Sequence, residues 1–446
     1  MVVRVARGET SHYHDPTAER PGPRISDPLS VAVVSSPESV RSSSFARVGH
    51  VNVSPIMNWH YRYTVLLLCM LAFFVTYFAR LGISPVVPFI TEDFEISNTL
   101  IGVALTGMWL AYGLAQFPSG ILADRYGEKL IILIAVGGTT VMSLLLALSP
   151  AYAVFVLVVV VLGGVAGLHY AVATTLLSRT FDDLGTAVGI HSIGGPLAGL
   201  VAPVAAAWVG VRYGWRPAVA LTALVGIPIF ALFVWRVRPT DPRRPDQSMR
   251  DRLELGALVE LLSRPAIAFP LLIAMAGTYV VQGLLSFLPA FLVEFRGYTP
   301  TAAGIAFSAF FVVRAASQVV LGRASDAYGR DAVIGGSMLA GAIGLPLVVF
   351  GPGLAAVAGG VLLAGLGSSF FSAIDPRFMD VLSVEERGTG FGLVRTVYTV
   401  IGAAGSAGVG LTADLFGWPV AFGTLAVLFL ASFLALAANH VLRLGY

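Results

Sequence analysis

The sequence GILADRYGEK occupies residues 120–129, and a related sequence, GRASDAYGRD, occupies residues 322–331, at an offset of 202 positions. Each copy follows a long apolar segment and keeps the same spacing of Gly, Asp and Gly. Further pairs hold this register to within one inserted residue: Gly102 with Gly304, Gln116 with Gln318, Thr76-Tyr77 with Thr278-Tyr279, and Gly214-Trp215 with Gly417-Trp418. A register kept over this length indicates a tandem duplication of one structural unit.

The composition of the chain excludes an ordinary soluble enzyme. Of its 446 residues, 56% are hydrophobic and 12% are charged, whereas soluble domains carry roughly 25% charged residues. A formal net charge of +3 is weak evidence for nucleic-acid binding until the basic residues are placed relative to a bilayer. The single cysteine, Cys69, allows neither an intrachain disulfide nor a Cys-rich metal site. We therefore expect no metal, no cofactor and no nucleic-acid partner.

The apolar segments of the chain are long enough to cross a bilayer. From Tyr63 onward, segments of about 20 residues recur, and at 1.5 Å per residue each covers the ~30 Å hydrocarbon core. We count twelve, at residues 63–87, 98–118, 130–148, 152–178, 185–209, 217–236, 266–291, 300–321, 331–350, 354–376, 388–412 and 418–439. The sequence therefore predicts an all-α polytopic membrane protein.

The spans divide into two groups of six. Residues 237–265 are the one long polar interruption, and their Pro-rich start is typical of a linker. We predict a six-helix bundle at 61–236 and a second, related by pseudo-symmetry, at 266–446. Residues 1–60 carry six arginines among Ser and Pro residues, which is typical of a disordered tail. Duplicated halves of this kind place a solute site between them near the bilayer midplane.

The distribution of Lys and Arg predicts the orientation, because positively charged loops resist translocation. With the N-terminus inside, 22 of the 28 Lys and Arg residues lie in tails and loops on the inner side, and three lie in loops on the outer side. We therefore expect a multi-pass protein of the cell membrane with both termini in the cytoplasm.

The repeated sequence resembles a loop motif of the major facilitator superfamily. The family motif after span 2, Gly-x-Leu-Ala-Asp-Arg-x-Gly-Arg-Lys, is matched except at Glu128, and the second copy has Ala327 where Arg is expected. The resemblance covers about residues 60–440 and implies that family's fold, two six-helix bundles around a central site. It also implies that the motif residues latch the two halves in one access state: Gly120, Asp124, Arg125, Gly127, Gly322, Asp326, Gly329 and Arg330.

We expect Asp124 to lie on a tight turn at which Gly120 and Gly127 let neighbouring helices approach closely. A carboxylate there can meet a helix N-terminus or the arginines of neighbouring loops. A merely solvated carboxylate is the alternative, and it has more weight for Asp326, because the second copy lacks the partner Arg.

Charged residues inside the spans are the candidates for function, because an Arg at the centre of a span costs on the order of 2.5–3.5 kcal/mol. Arg80 in span 1 and Arg314 in span 8 give each half one deep cation, and spans 1–6 have no Asp or Glu in their interiors. Two arginines that face one cavity favour a carboxylate, phosphate or sulfonate. The span 1 sequence YFARLGISPVVPFI is also similar to that of the family's organic-anion transporters, although Ala79 replaces the Asp often found before the Arg.

Polar side chains near these arginines extend the predicted site. The predicted substrate-binding residues are Arg80, Arg314, Tyr77, Tyr279 and Gln282. Arg80 could instead bond helix carbonyls or extend to the membrane surface, and each Tyr and Gln side chain could serve packing alone. Spans 3, 6, 9 and 12 have no charge in their interiors, and in the superfamily those four spans are peripheral.

Four further residues inside spans are predicted to couple or gate transport: His169, His191, Asp375 and Arg395. His169 could carry a coupling proton, since an unperturbed imidazole has a pKa near 6.5, or it could be a packing residue. His191 and Arg395 lie at adjacent equivalent positions in the two halves. Asp375 could pair with Arg377, Arg395 or Arg314, and a pair with Arg314 would weaken the argument for an anion.

Together these features predict a secondary transporter that moves a small organic anion by alternating access, coupled to protons or to exchange. The alternative is a multidrug or hydrophobic-compound exporter, because GIHSIGGPLAG in span 5 is similar to the Gly-Pro motif of the family's antiporters. The sequence lacks a Gly-Lys-Ser phosphate loop and metal-ligand spacings, so we expect no enzyme and no direct use of ATP. A membrane receptor that transports no solute is a further alternative. We expect a monomer in the lipid bilayer, with a small-molecule substrate and protons as its partners.

Overall fold

A computed structural model describes residues 54–242, 260–383 and 389–443 of the chain. Within these ranges, twelve helical segments are long and apolar enough to cross a membrane. The protein is therefore an all-α multi-pass membrane protein, and the twelve spans predicted from the apolar segments are confirmed. The predicted N-terminal tail and most of the predicted linker lie outside the described residues.

The spans are formed by helices whose bounds extend a few residues beyond the apolar segments. Spans 1–6 contain the helices Ser54–Leu81 and Val87–Asp93 joined by a 3₁₀ turn at Ser84–Val86, Asn98–Tyr126, Glu128–Ala147, Tyr152–Gly167 with His169–Ser178, Leu184–Ser192 with Gly194–Tyr213, and Trp215–Arg236. Spans 7–12 contain Pro265–Glu294, Pro300–Tyr328, Arg330–Phe350, Gly353–Gly367 with Phe371–Val381, Thr389–Ala403 with Gly405–Phe416, and Trp418–Val441.

Spans 4, 5, 10 and 11 are each built from two helices that meet within the span. The breaks fall at Leu168, Ile193, residues 368–370 and Ala404. A glycine stands directly beside each break, and glycine destabilises a helix interior by roughly 0.5–1 kcal/mol relative to alanine. Spans 4 and 5 correspond to spans 10 and 11 in the duplication, so the interruption is a repeated feature of the unit.

The two motif copies form helix ends, whereas the sequence led us to expect Asp124 on a tight turn between helices. The helix of span 2 continues to Tyr126, and Asp124 lies in its last turn. The chain turns at Gly127, with φ of 85°, and at the equivalent Gly329, with φ of 92°. Such positive φ angles favour glycine. We call the side of the membrane domain that carries these two turns the motif face, and the other side the opposite face.

Only one glycine of the first motif copy permits a close approach. A Cβ atom at Gly127 would collide with the backbone carbonyl of Thr240, whereas a Cβ at Gly120 would have nothing within 4 Å. A Cβ at Gly322 or at Gly329 would also meet open space. In this state Gly120 therefore does not bring helices together, because a side chain there would meet open space.

Hydrogen bonds between the two halves of the chain gather toward the opposite face. Asp414 of span 11 accepts from the backbone N–H groups of Asn98, at 3.2 Å, and Thr99, at 2.7 Å. The Thr99 hydroxyl donates to the same carboxylate at 2.6 Å. Nearer the middle of the membrane, the Ser84 hydroxyl donates to the carbonyl of Ser286 at 2.9 Å. These contacts close the domain on the opposite face.

Close packing of glycines supports the same closure. A Cβ at Gly102 of span 2 would lie 2.6 Å from the carbonyl of Ser406 in span 11. A Cβ at Gly304 of span 8 would lie 2.9 Å from the carbonyl of Pro203 in span 5. Both distances are too short for a side chain, so these glycines let spans from opposite halves touch backbone to backbone.

Candidate functional site

A cavity of about 300 Å³ lies between the two halves of the membrane domain. Its lining comes from spans 1, 2, 4, 5, 7, 8, 10 and 11, and none of the described lining residues belongs to span 3, 6, 9 or 12. This agrees with the expectation that those four spans are peripheral. A further space of about 330 Å³, lined by Thr174 and Phe391 among others, continues from the cavity toward the motif face. The site is thus reached from the motif face.

Arg314 lies in the wall of this cavity. Its helix begins after Thr299, whose hydroxyl caps it by accepting from the N–H of Ala302 at 3.2 Å. Fourteen residues of helix carry Arg314 about 21 Å into the membrane. Its guanidinium carbon lies 5.8 Å from the ring centroid of Phe371, and no acidic side chain in the described part of the chain forms an ion pair with it. Within the described ranges, the cavity therefore contains a half-buried cation whose side-chain donors have no protein acceptor.

Asp375 does not neutralise Arg314. Its carboxylate accepts a hydrogen bond of 3.0 Å from the Tyr398 hydroxyl and interacts electrostatically with Arg395, and all three side chains line the cavity. The guanidinium carbon of Arg395 also lies 5.9 Å from the ring centroid of Tyr170. The sequence left Arg377, Arg395 and Arg314 open as partners of Asp375, and the structure places Asp375 near Arg395. The charged residues that line the cavity thus sum to one net positive charge.

Arg80 lies behind the cavity wall rather than in it. Only 2% of the residue is exposed, and its Nε donates to the carbonyl of Thr76 at 3.0 Å. Its guanidinium carbon lies 4.4 Å from the ring centroid of Tyr77, 5.0 Å from that of Trp109 and 3.9 Å from that of Tyr112. Its two terminal nitrogens have no hydrogen-bond acceptor among the described residues. These three rings line the cavity on their other side, so Arg80 faces it across one layer of aromatic side chains.

The other predicted substrate contacts divide between two places. Tyr77 and Gln282 line the cavity, and Gln282 is buried with its Oε1 lacking a donor among the described residues. Tyr279 instead lines a separate apolar groove with Met275 and Ile401, so its predicted place in the central site is wrong. One helical residue corresponds to 100° of rotation. Tyr77 therefore faces the cavity while its equivalent Tyr279 faces the groove, because span 7 is rotated about its axis relative to span 1.

His169 and His191 are buried together, outside the cavity lining. Both residues are fully buried, with ring centroids 5.4 Å apart. Phe73 packs on both rings, at 5.8 Å from His169 and 5.0 Å from His191, and Tyr170 lies 5.5 Å from His191. Phe73 and Tyr170 line the cavity, so the pair lies one aromatic layer behind its wall.

Ion pairs on the motif face link neighbouring helices within each half. Arg330 pairs with Asp326 and, at 3.0 Å, with Asp380. Fully buried Glu128, where the family motif has an Arg, lies 2.7 Å from Arg179. Arg377 contacts Asp331 in the corresponding part of the second half.

The motif carboxylate of the first half differs from that of the second. No ion pair of Asp124 occurs among the described residues, and Arg125 is exposed with its guanidinium carbon 5.4 Å from the Tyr126 ring centroid. A latch between the two halves at these residues stays a prediction.

Several functional candidates were missed from the sequence alone. Trp109 and Tyr112 enclose Arg80, and Tyr398 holds Asp375. The duplication carried a signal for Tyr112, which is the equivalent of Arg314 at the offset of 202. No group of three or more His, Cys, Asp or Glu that could hold a metal ion occurs in the described residues.

Comparisons with known proteins agree with this architecture. Residues 69–300 and 284–442 match the family profile of the Major Facilitator Superfamily. The crystal structure of a bacterial homologue of the human lysosomal transporter Spinster, in an inward-facing and unoccupied conformation, has a TM-score of 0.73 at 17% identity and covers 84% of this chain and 97% of that chain. At this identity the likeness concerns the fold alone.

Two curated relatives have names that point to different classes of compound. A hexuronate transporter of Bacillus subtilis (strain 168) is 23% identical over 241 residues, which are 52% of this chain and 57% of that protein. The multidrug resistance protein MdtG of Citrobacter koseri is 27% identical over 259 residues, which are 56% of this chain and 61% of that protein. The chain thus spans little more than half the length of these relatives.

Proposed function

The chain belongs to the major facilitator superfamily, and we propose that it is a secondary transporter whose solute is a small organic anion. The observation that carries this proposal is Arg314, a cation in the cavity wall without an acidic partner among the described residues. A guanidinium offers two parallel N–H donors, a geometry that suits a carboxylate, phosphate or sulfonate. The relative from Bacillus subtilis is named as a transporter of hexuronates, which are carboxylates, and this supports the same class.

Arg80 strengthens the case through its field. A buried guanidinium enclosed by aromatic rings attracts an anion in the adjacent cavity even without touching it, because the protein interior screens charge weakly. Movement of the Tyr77 or Tyr112 ring would also let the unpartnered Arg80 nitrogens reach the solute. We infer that Arg314 binds the anion directly, together with Tyr77 and Gln282, and that Arg80 raises its affinity.

We infer that transport proceeds by alternating access between two six-helix bundles, residues 61–236 and 266–446, joined by a linker at 237–265. The contacts of Asp414, Gly102 and Gly304 support a state closed on the opposite face and open on the motif face. In the other state the motif residues would meet across the halves and act as the latch. Asp124, which has no ion pair among the described residues, and the Asp326–Arg330 pair are its proposed components.

The Lys and Arg distribution supports placing the motif face in the cytoplasm. On this proposal both termini are cytoplasmic, the protein lies in the cell membrane as a monomer, and the state described here is open to the cytoplasm. Asp375 and Arg395, which both line the cavity and interact electrostatically, are proposed to gate the solute or to couple its movement to protons or to exchange.

Uptake into proteoliposomes tests the proposal. The purified protein is reconstituted and offered labelled D-glucuronate, D-gluconate, benzoate and sulfoacetate in turn. We expect uptake of at least one of them, reduced about 10- to 100-fold in Arg314→Gln, because a hydrogen bond to a charged group is worth roughly 1.5–3 kcal/mol. Arg212→Gln, which removes an exposed arginine stacked on Trp208, is the matched control. Uptake unchanged in Arg314→Gln would refute the assigned site.

Export of hydrophobic compounds is the second candidate function. The aromatic lining of the cavity suits planar apolar solutes, and the relative from Citrobacter koseri is named as a multidrug resistance protein. Gly199 of the span 5 motif also packs against Phe311 in the cavity wall. Efflux of ethidium from the same proteoliposomes, together with no uptake of any of the four anions, would favour this candidate over the anion.

A further inference from the structure

We propose that His169 and His191 form one proton-binding site that takes up a proton when an anion occupies the cavity. This inference rests on the proposed function, since it concerns how anion binding and protons are linked. The two rings are fully buried with centroids 5.4 Å apart, and none of their four nitrogens has a hydrogen-bond partner of good geometry among the described residues. Unpartnered polar atoms are rare in a buried position, and those that occur call for an explanation.

A positive charge lies close to the His pair. The backbone of Cys69 in span 1 lies close to both rings, and the His191 ring and the Arg80 guanidinium act electrostatically on His169. Tyr170 of span 4 contacts His191, and the guanidinium carbon of Arg395 in span 11 lies 5.9 Å from the ring centroid of that tyrosine. No carboxylate is among these neighbours. The charge of Arg80 therefore acts beside the pair without a compensating negative charge.

An anion in the cavity reverses the electrostatic part of this balance. It would lie beside Tyr77, Phe73 and Tyr170, the aromatic layer that separates the cavity from both Arg80 and the His pair. A negative charge at that point compensates Arg80 and favours an added positive charge on a nearby ring. By linkage, a proton on the pair then raises anion affinity by the same factor that the anion raises proton affinity.

The pair has a route to solvent and an acceptor for the shared proton. The Tyr170 hydroxyl lies 3.4 Å from the Ser192 hydroxyl, and both residues line the cavity next to His191. A proton from cavity water would bind the lone pair of one imidazole nitrogen, and the resulting N–H could donate to the lone pair of the other ring. The proton comes from a hydronium ion of the cavity water, so one O–H bond breaks, one N–H bond forms and a neutral water molecule is left.

The pair is also placed where a charge change can act on the conformation. His169 is the first residue of the second helix of span 4, and His191 is the residue before the last of the first helix of span 5. The breaks at Leu168 and Ile193 thus lie directly beside the two rings. A proton shared between the two rings would hold span 4 to span 5 next to their helix breaks. Proton binding would therefore act at the points where these two spans are interrupted.

Proton uptake on anion binding tests this inference. The protein in detergent, in weakly buffered solution with a pH-indicator dye, is mixed with D-glucuronate or benzoate at pH 7. We expect about one proton taken up per anion bound, lost in His169→Asn and His191→Asn and retained in His440→Gln, which changes an exposed histidine at the end of span 12. Variants are compared only when they elute as monodisperse protein and still bind the anion.

Nuclear magnetic resonance of the wild-type protein with ¹³C-labelled histidine keeps the inference testable if the variants fail to fold. We expect ring resonances of the pair to shift toward the imidazolium position on addition of the anion. Anion binding without proton uptake and without that shift would overturn the proton site and leave the anion function intact. Failure of both carboxylates to bind would overturn both proposals together.

Discussion

Asp414 gives the most specific prediction about the ratio of the two access states. Its carboxylate joins span 11 to the N-terminus of span 2 through the N–H groups of Asn98 and Thr99 and the Thr99 hydroxyl. Bonds to a charged group are worth roughly 1.5–3 kcal/mol when buried, but Asp414 is exposed, so we discount the sum to about 1 kcal/mol for Asp414→Ala. That figure changes the ratio of the two access states about fivefold.

Double electron–electron resonance measures this ratio. Tyr126 and Tyr328, both exposed on the motif face, are replaced by cysteines in a Cys69→Ala background, and a spin label is attached to each new cysteine. The wild type should give mainly a long distance, and Asp414→Ala should transfer population to a shorter one as the motif face closes. A starting ratio of about 9:1 would fall to about 2:1.

A matched control separates this effect from general loosening of the opposite face. Asp93 is also a carboxylate on that face, but it accepts hydrogen bonds from Arg216, at 2.6 Å, and Trp215, at 3.1 Å, within the same half. Asp93→Ala should leave the distance distribution unchanged. An unchanged distribution in Asp414→Ala, or an equal change in both variants, would refute the assignment of Asp414 as a contact that holds this state.

Two further predictions concern the motif face. Arg179→Gln leaves the fully buried Glu128 without its partner and should lower the free energy of unfolding by roughly 3 kcal/mol. The double change with Glu128→Gln should restore much of this loss. Thermal unfolding in detergent measures both effects, and equal stability of Arg179→Gln and wild type would contradict the prediction. Gly127→Ala should lower the unfolding temperature, because the residue has a φ of 85° and its new methyl group would collide with Thr240. Gly120→Ala is the control and should leave the unfolding temperature unchanged, because its methyl group would meet open space. Equal effects of the two changes would be inconsistent with this packing.

The architecture was predictable from the sequence because it depends on segment length and repetition. Twelve spans followed from apolar segments that match the bilayer thickness. The motif copies were harder to interpret, because their polar residues look like loops yet extend the helices beyond the hydrocarbon region. Asp124 therefore lies on a helix end, and the turn needs Gly127 alone.

The candidate site was predictable only in part, because it depends on helix rotation. The offset of 202 relates Arg80 to Gln282 and Tyr112 to Arg314. Tyr112 and Arg314 both line the cavity, because spans 2 and 8 turn the same helix face toward it. In the other pair, Gln282 lines the cavity, whereas Arg80 lies behind aromatic rings. A rotation of about one residue between spans 1 and 7 accounts for this difference, and no pattern along the chain records it.

Binding of a carboxylate and its neutral analogue tests the central claim most directly. The best carboxylate from the uptake screen and the corresponding primary amide are titrated into wild type, Arg314→Gln and the control Arg212→Gln, and their dissociation constants are compared. The structure predicts that wild type and Arg212→Gln prefer the carboxylate by about 10-fold or more, and that Arg314→Gln loses this preference. An equal preference for the carboxylate in Arg314→Gln would contradict an anion site at this arginine.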